Sequence, residues 1–212
     1  MAKTTKFGAL IREANIQPRT IFDIGAFDCA ETLSLAGAFP QADIYAFECV
    51  PKLLAFCDGA IRHNPKLHLM PIALGECTKL CTFHESVGNN AECGSLLEPN
   101  NEYFEPMPTR EITVPVFAIQ DVLWNLPIAP PEVIWMDVQG LEIQVLRGMG
   151  NHIAKLKMLW CEVTYKPYYT NQKCVDEYDR VLGLWGFEKI HEECGIAGWF
   201  GNACYKRKAS VL

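Results

Sequence analysis

Four short stretches carry side chains suited to chemistry: Asp23-Ile24-Gly25-Ala26, Glu48, Asp137 and Glu162. The first three close apolar runs (20–24, 43–47 and 132–136), and Glu162 lies in another, 157–163. Short apolar runs bounded by turn residues read as buried strands. In an open α/β sheet, ligands bind beyond the carboxyl ends of such strands. Gly25 permits a tight turn and a close approach of backbone to ligand. Glu48, ending the next strand, is placed to accept hydrogen bonds from a ribose diol. A dinucleotide and S-adenosylmethionine both carry that diol. Pyrophosphate needs a glycine-rich turn whose N–H groups face it. Here one glycine is followed by Ala26, Phe27, Asp28 and Cys29. An aspartate in that turn repels pyrophosphate but not a sulfonium cation. Charge therefore favours S-adenosylmethionine over NAD.

The elements that must position these residues alternate. A helix is expected over 7–15, then the strand 20–24. Asp28 with Glu31 forms a capping-box pattern opening a helix that Gly37 and Pro40 close. The strand 43–47 leads to a helix beginning at Pro51, where a first-turn proline is well tolerated. Strands are expected at 67–73 and 80–84. Residues 85–110 are rich in Gly, Asn, Pro and Glu and read as a long loop, either a lid or a plain excursion. A strand at 112–117 and a short helix at 119–126 follow. Beyond the strand 132–137, helices at 139–147 and 175–185 flank the strand 157–163, and strands 187–191 and 199–206 form a closing hairpin. Strand–helix alternation of this kind means βαβ units and a mainly parallel sheet. One domain over residues 1–212 is expected, with 1–19 as an N-terminal helical segment.

Composition narrows the class. The 212 residues hold 19 Lys+Arg against 25 Asp+Glu, a net charge of −6, and half are hydrophobic. That excludes a disordered chain and argues against a nucleic-acid binder. No run approaches the ~18–20 apolar residues of a membrane span, and no apolar stretch follows Met1–Lys6 to make a signal peptide. Among ten cysteines there is no C-x-x-C pair, and Cys49, Cys57 and Cys161 lie in apolar segments. Reduced thiols, no metal site and a cytoplasmic location are expected.

With these motifs, the chain resembles the FkbM-type S-adenosylmethionine-dependent methyltransferases of the class I fold, from about Thr20 to the C-terminus. The first motif is Asp23-Ile24-Gly25-Ala26 with Glu48. The more specific one is Asp137-Val138-Gln139-Gly140-Leu141-Glu142, continued as Val145-Leu146-Arg147-Gly148. Ser95-Leu96-Leu97, Glu162 with Tyr165 and Tyr168, and Gly186-Phe187 support it. Cys29 departs from the family, which carries a further glycine there. The resemblance implies a Rossmann-like α/β fold, with a seven-stranded sheet in the order 3-2-1-4-5-7-6, the last strand antiparallel and helices on both faces. It implies S-adenosyl-L-methionine as cofactor and a hydroxyl on a small molecule or glycan as acceptor. The expected cofactor positions are Asp23, Gly25, Ala26, Phe27, Glu48, Cys49, Ala73, Asp137 and Gln139. Asp137 is the expected catalytic group, with Glu162 and His84 as further candidates.

Plainer readings exist for each residue. Asp137 could cap the helix after it, Glu142 could complement that helix's dipole, and His84 could be an ordinary strand histidine. Two other functions remain open: a silent cofactor-binding or scaffold protein, and an NAD or nucleotide-sugar oxidoreductase, which needs the glycine turn missing here.

Overall fold

Period-two burial builds the central sheet. In a computed structural model that describes residues 5–88, 92–100, 102, 107–195 and 198–209, successive strand residues enter opposite apolar layers. Phe22, Ile24, Ile134, Met136, Leu159 and Cys161 face one layer. Ile21, Val133, Trp135, Met158 and Trp160 face the other.

The chain runs α1 (Lys6–Glu13), β1 (Thr20–Ile24), α2 (Ala30–Ala38), β2 (Asp43–Phe47), α3 (Pro51–Ile61), β3 (Leu67–Met70), β4 (Ala73–Gly75), β5 (Lys79–Ser86) and β6 (Thr109–Ala118). It continues with α4 (Ile119–Asn125), β7 (Val133–Met136), α5 (Glu142–Arg147), a 3-10 turn (Gly150–Lys155), β8 (Met158–Thr164), α6 (Val175–Leu184), β9 (Phe187–Cys194) and β10 (Phe200–Arg207). Helices α1, α2 and α3 supply Phe7, Ile11, Leu35, Cys57 and Ile61 to one layer. Helices α4, α5 and α6 cover the other with Val122, Val145, Leu146, Tyr178 and Leu182. Phe7 and Ile11 of α1 are fully buried, each worth ~2–3 kcal/mol of apolar burial. Phe7 packs on Trp135 and Trp160, with ring centroids 5.8 and 5.7 Å away.

The main sheet has seven strands in the order β3-β2-β1-β7-β8-β10-β9. Neighbours among β3, β2, β1, β7 and β8 pair in parallel, and β10 is antiparallel to both its neighbours. Counted within this sheet the order is 3-2-1-4-5-7-6. Whole-chain numbering differs from expectation because β4, β6 and β5 leave to form a second, three-stranded sheet.

Four local expectations need correction. The strand expected over 67–73 breaks at Pro71, which has no N–H for the ladder; Ile72 N bonds back to Met70 O at 2.8 Å, and Ala73 starts β4. The helix expected from Gln139 begins only at Glu142, because Gln139 (φ 54°) and Gly140 (φ 101°) are left-handed. Asp28 is not the cap of α2: Cys29 holds that position at φ 61°, and Asp28 Oδ1 accepts from Ala30 N at 2.9 Å. A glycine adopts that φ without strain; here a fully buried cysteine does. The loop expected at 85–110 is shorter, since β5 runs to Ser86 and β6 starts at Thr109. Its segments 89–91, 101 and 103–106 lie outside the described residues.

All ten cysteines are free thiols. Among the described residues no helix is long and apolar enough to cross a membrane.

Candidate functional site

The tips of β1, β2 and β7 are stitched together by backbone. Gly25 N and Ala26 N both donate to Phe47 O, at 3.0 and 2.9 Å, and Asp137 N donates to Ile24 O at 2.9 Å. Gly25 sits at φ +84°, and a Cβ there would fall 1.9 Å from the Asp137 carbonyl oxygen. The turn then swings Phe27 N onto Glu48 Oε2 at 3.0 Å. Val50 N reaches Glu48 Oε1 at 2.7 Å. Two backbone donors thus aim the Glu48 carboxylate, and each oxygen keeps accepting capacity for a ligand hydroxyl.

Asp23 Oδ2 accepts from the Thr32 hydroxyl. Asp23 Oδ1 is buried with no hydrogen-bond partner among the described residues. Burial pushes this carboxyl up to about 7. Burial also raises Asp137, whose Oδ1 accepts from Gln139 Nε2 at 2.6 Å. The same amide reaches Glu162 Oε2 at 3.2 Å. Burial, then the neighbouring Asp137 and Glu142, push Glu162 up to about 9. Glu142 is no simple dipole partner. It is 1% exposed, accepts Val138 N and Gly140 N at 3.2 and 3.3 Å, and takes the Tyr178 hydroxyl. Asp137 is not a helix cap either, since Leu141 precedes α5.

Two cavities meet at this edge. The first, of about 250 Å³, is lined by Asp23, Gly25, Ala26, Phe27, Glu48, Cys49, Ala73, Asp137 and Gln139, all nine of the expected cofactor positions. Among the described residues every charged side chain in its lining is acidic, and one of these, Glu85, is paired with Lys52 and Arg110. The second, of about 510 Å³, is lined by Glu162, Thr164, Tyr168, Tyr169, Gln172 and Phe200, among others. Glu92, Asp137 and Gln139 line both. His84 lines neither. Its backbone pairs with Ser95, while its neighbours Phe83 and Glu85 line the first cavity. The structure therefore joins Asp137 and Glu162 but leaves His84 apart. Sequence reasoning missed Glu92 and Tyr169. No local signal separates Tyr169 from Tyr165 and Tyr168, which share its type and stretch.

A model described as the methyltransferase FkbM domain matches residues 23–195. The chain belongs to the FkbM methyltransferase family. It is 26% identical over 160 residues to the 2-O-methyltransferase NoeI of Sinorhizobium fredii (strain NBRC 101917 / NGR234). That match covers 72% of this chain and 66% of NoeI, just under two thirds of the relative's length. Among solved structures, the magnesium protoporphyrin IX methyltransferase (ChlM) from Synechocystis PCC 6803 with bound SAM is similar at TM-score 0.55 and 10% identity, over 96% of this chain and 77% of that one. Cofactor-bound Rv0187 from MTB is similar at TM-score 0.54 and 15% identity, over 95% and 78%. These likenesses establish the class I methyltransferase fold.

The buried acids of this FkbM methyltransferase make its stability depend on pH. Asp23 and Glu142 are each raised to about 7, and Glu162 to about 9. A carboxyl raised in the folded state favours its neutral form there. The stability it contributes is complete below about pH 4 and is lost as pH rises through 7 to 9. The melting temperature of the ligand-free protein should therefore fall between pH 5 and pH 9. For Asp23, raised to about 7, the effect is on the order of 4 kcal/mol. Asp23→Asn should flatten the profile and melt well above the parent at pH 8. Calorimetry across this range checks it; coincident pH profiles of parent and variant would refute it.

Proposed function

We propose that the chain transfers a methyl group from S-adenosylmethionine to a hydroxyl oxygen of a small molecule or glycan. The observation that carries this reading is Asp23, a buried acid whose Oδ1 has no hydrogen-bond partner among the described residues, at the wall of a cavity whose described charged lining is acidic. An uncompensated buried carboxyl calls for a cationic partner. Among the described lining residues pyrophosphate would find no basic side chain; Lys52 and Arg110, beside the lining, are paired with Glu85. The residues fit the cofactor: Glu48, held by Phe27 N and Val50 N, would take the ribose diol, Cys49 and Ala73 would wall the base, and Asp23 and Asp137 would face the cation. When bound, S-adenosylmethionine supplies an electrophilic methyl group on a sulfonium centre.

The second cavity is the acceptor site in this reading. Its lining holds amide and hydroxyl side chains (Asn100, Gln172, Thr164, Tyr168) and, among the described residues, no Lys or Arg. Such a surface suits hydroxyl-bearing acceptors and disfavours phosphorylated ones. NoeI's name, a 2-O-methyltransferase, supports oxygen as the atom methylated. Alignment across the two cavities is the larger effect, worth about 7–11 kcal/mol. A general base adds about 10²–10⁴-fold. Asp137, which lines both cavities, and Glu162, which lines the second, are the groups for that role. Residues 92–100, docked by Ser95 Oγ onto Gln139 O at 2.8 Å, act as part of a lid that excludes water. Ten free thiols favour a reducing, cytoplasmic setting.

Calorimetric titration tests the donor. S-adenosylmethionine should bind and NAD should not, and the affinity should strengthen as pH rises through about 7 and Asp23 ionises. Preference for NAD overturns the assignment.

A further inference from the structure

Tyr169 is 2% exposed and lines the second cavity but not the first. Its hydroxyl lies 2.9 Å from Gln139 Oε1 and 2.6 Å from the Cys93 carbonyl oxygen. One hydroxyl proton thus faces two acceptors, so the phenol is shared between segment 92–100 and the Gln139 amide. The other end of that amide donates to Asp137 and Glu162. Gln139 is held in a strained left-handed backbone at φ 54°, with its carbonyl taken by Ser95. Backbone strain of this kind persists only where the surroundings over-determine it.

The amide has two orientations. With Nε2 toward the carboxylates, its oxygen needs a donor, and Tyr169 supplies one. Reversed, it would aim a carbonyl oxygen at two carboxylates, which only their protonated forms tolerate. We propose that Tyr169 is a positioning residue for methyl transfer: its hydroxyl holds the Gln139 amide with its N–H groups toward Asp137 and Glu162, and so keeps Glu162 able to take the acceptor's proton. This rests on the methyl-transfer reading above. In the step itself, the acceptor oxygen bonds to the methyl carbon, the carbon–sulfur electron pair leaves with sulfur, and the hydroxyl proton passes to the Glu162 carboxylate and then to water.

The surroundings of Glu162 make this amide matter. Asp137 faces it from the β7 tip, Glu142 from α5, Cys161 from its own strand, Cys93 from segment 92–100, and Tyr168 and Tyr178 from the loop before α6 and from α6. None of these is basic. The Gln139 N–H is the neighbour that favours the ionised form.

The test is a carbon-13 NMR titration of protein labelled at glutamate carboxyls, with the Glu162 signal assigned by its absence in Glu162→Gln. Tyr169→Phe should move the Glu162 midpoint upward by about one pH unit, a tenfold change in proton affinity. Gln139→Met, which removes the amide and keeps the bulk, should move it in the same direction. The acid limb of the pH–rate profile should shift with it, with kcat down about tenfold. In Tyr169→Phe, binding of S-adenosylhomocysteine should stay within about twofold, because Tyr169 does not line the first cavity. An unchanged Glu162 midpoint in both variants overturns the proposal, as does loss of S-adenosylhomocysteine binding in Tyr169→Phe. Failure of the parent protein to bind S-adenosylhomocysteine would remove the methyl-transfer reading instead; the Glu162 titration still decides the role of Tyr169.

Discussion

Replacing Gly25 with alanine should remove donor binding and destabilise the fold by about 3–5 kcal/mol, the sum of backbone strain and overpacking. Two effects combine at this position. The φ of +84° is one that an L side chain rarely adopts, and the added Cβ would sit 1.9 Å from Asp137 O and 3.0 Å from Asp137 C. Both are backbone atoms, so no side-chain rotation relieves the clash. The β7 tip would have to withdraw, breaking the Asp137 N to Ile24 O bond and displacing the Asp137–Gln139 turn between the two cavities. Gly88→Ala is the control. Gly88 has φ +88° with nothing within 4 Å of its would-be Cβ, so it isolates the backbone effect, on the order of 1 kcal/mol. Denaturant midpoints and S-adenosylmethionine titrations on both variants decide the matter. If Gly25→Ala is no less stable than Gly88→Ala, the close approach is not what this position requires.

Glu142→Ala should be nearly as damaging, and for a polar reason. Truncation leaves the Tyr178 hydroxyl and the N–H groups of Val138 and Gly140 without their acceptor. Each buried orphan costs about 1–3 kcal/mol, so with three of them a loss of at least about 3 kcal/mol is expected. The 138–141 turn that carries Gln139 would loosen, and donor affinity should fall with it. Glu142→Gln behaves differently. It keeps an oxygen for the turn and removes a carboxyl that burial has raised to about 7, so at pH 8 it should melt at or above the parent. Chemical denaturation at pH 5 and pH 8 separates the two. Equal losses in both variants would overturn this, because Gln keeps the shape and one acceptor oxygen, and the carboxylate itself would then be what Glu142 provides.

Much of this was legible before any coordinates. Strand residues alternate between two apolar layers, and period-two burial is a local property that a single chain displays. The acids at strand ends follow from the same logic, since they stand where each apolar run stops. The motif from Asp137 to Gly148 pointed to the family, and the residues matched, 23–195, include it. Asp23, Gly25, Glu48 and Asp137 all line one cavity because parallel strands bring their carboxyl ends to one edge.

What the chain did not disclose depends on non-local closure. Pro71 ends one strand, but only the pairing of β6 with both Ala73–Gly75 and β5 creates a second sheet. His84 had the chemistry of a base, yet its pairing with Ser95 leaves it out of both cavities. Gln139 looked like the start of a helix, and the left-handed turn made it a bridge between two carboxylates. Tyr169 reaches it across 30 residues of sequence and reaches Cys93 across 76. Local periodicity encodes which face of an element is buried. Which distant side chains share a hydrogen bond is settled only when the elements pack, because that choice depends on φ angles in turns and on ångström-scale distances that no spacing along the chain records.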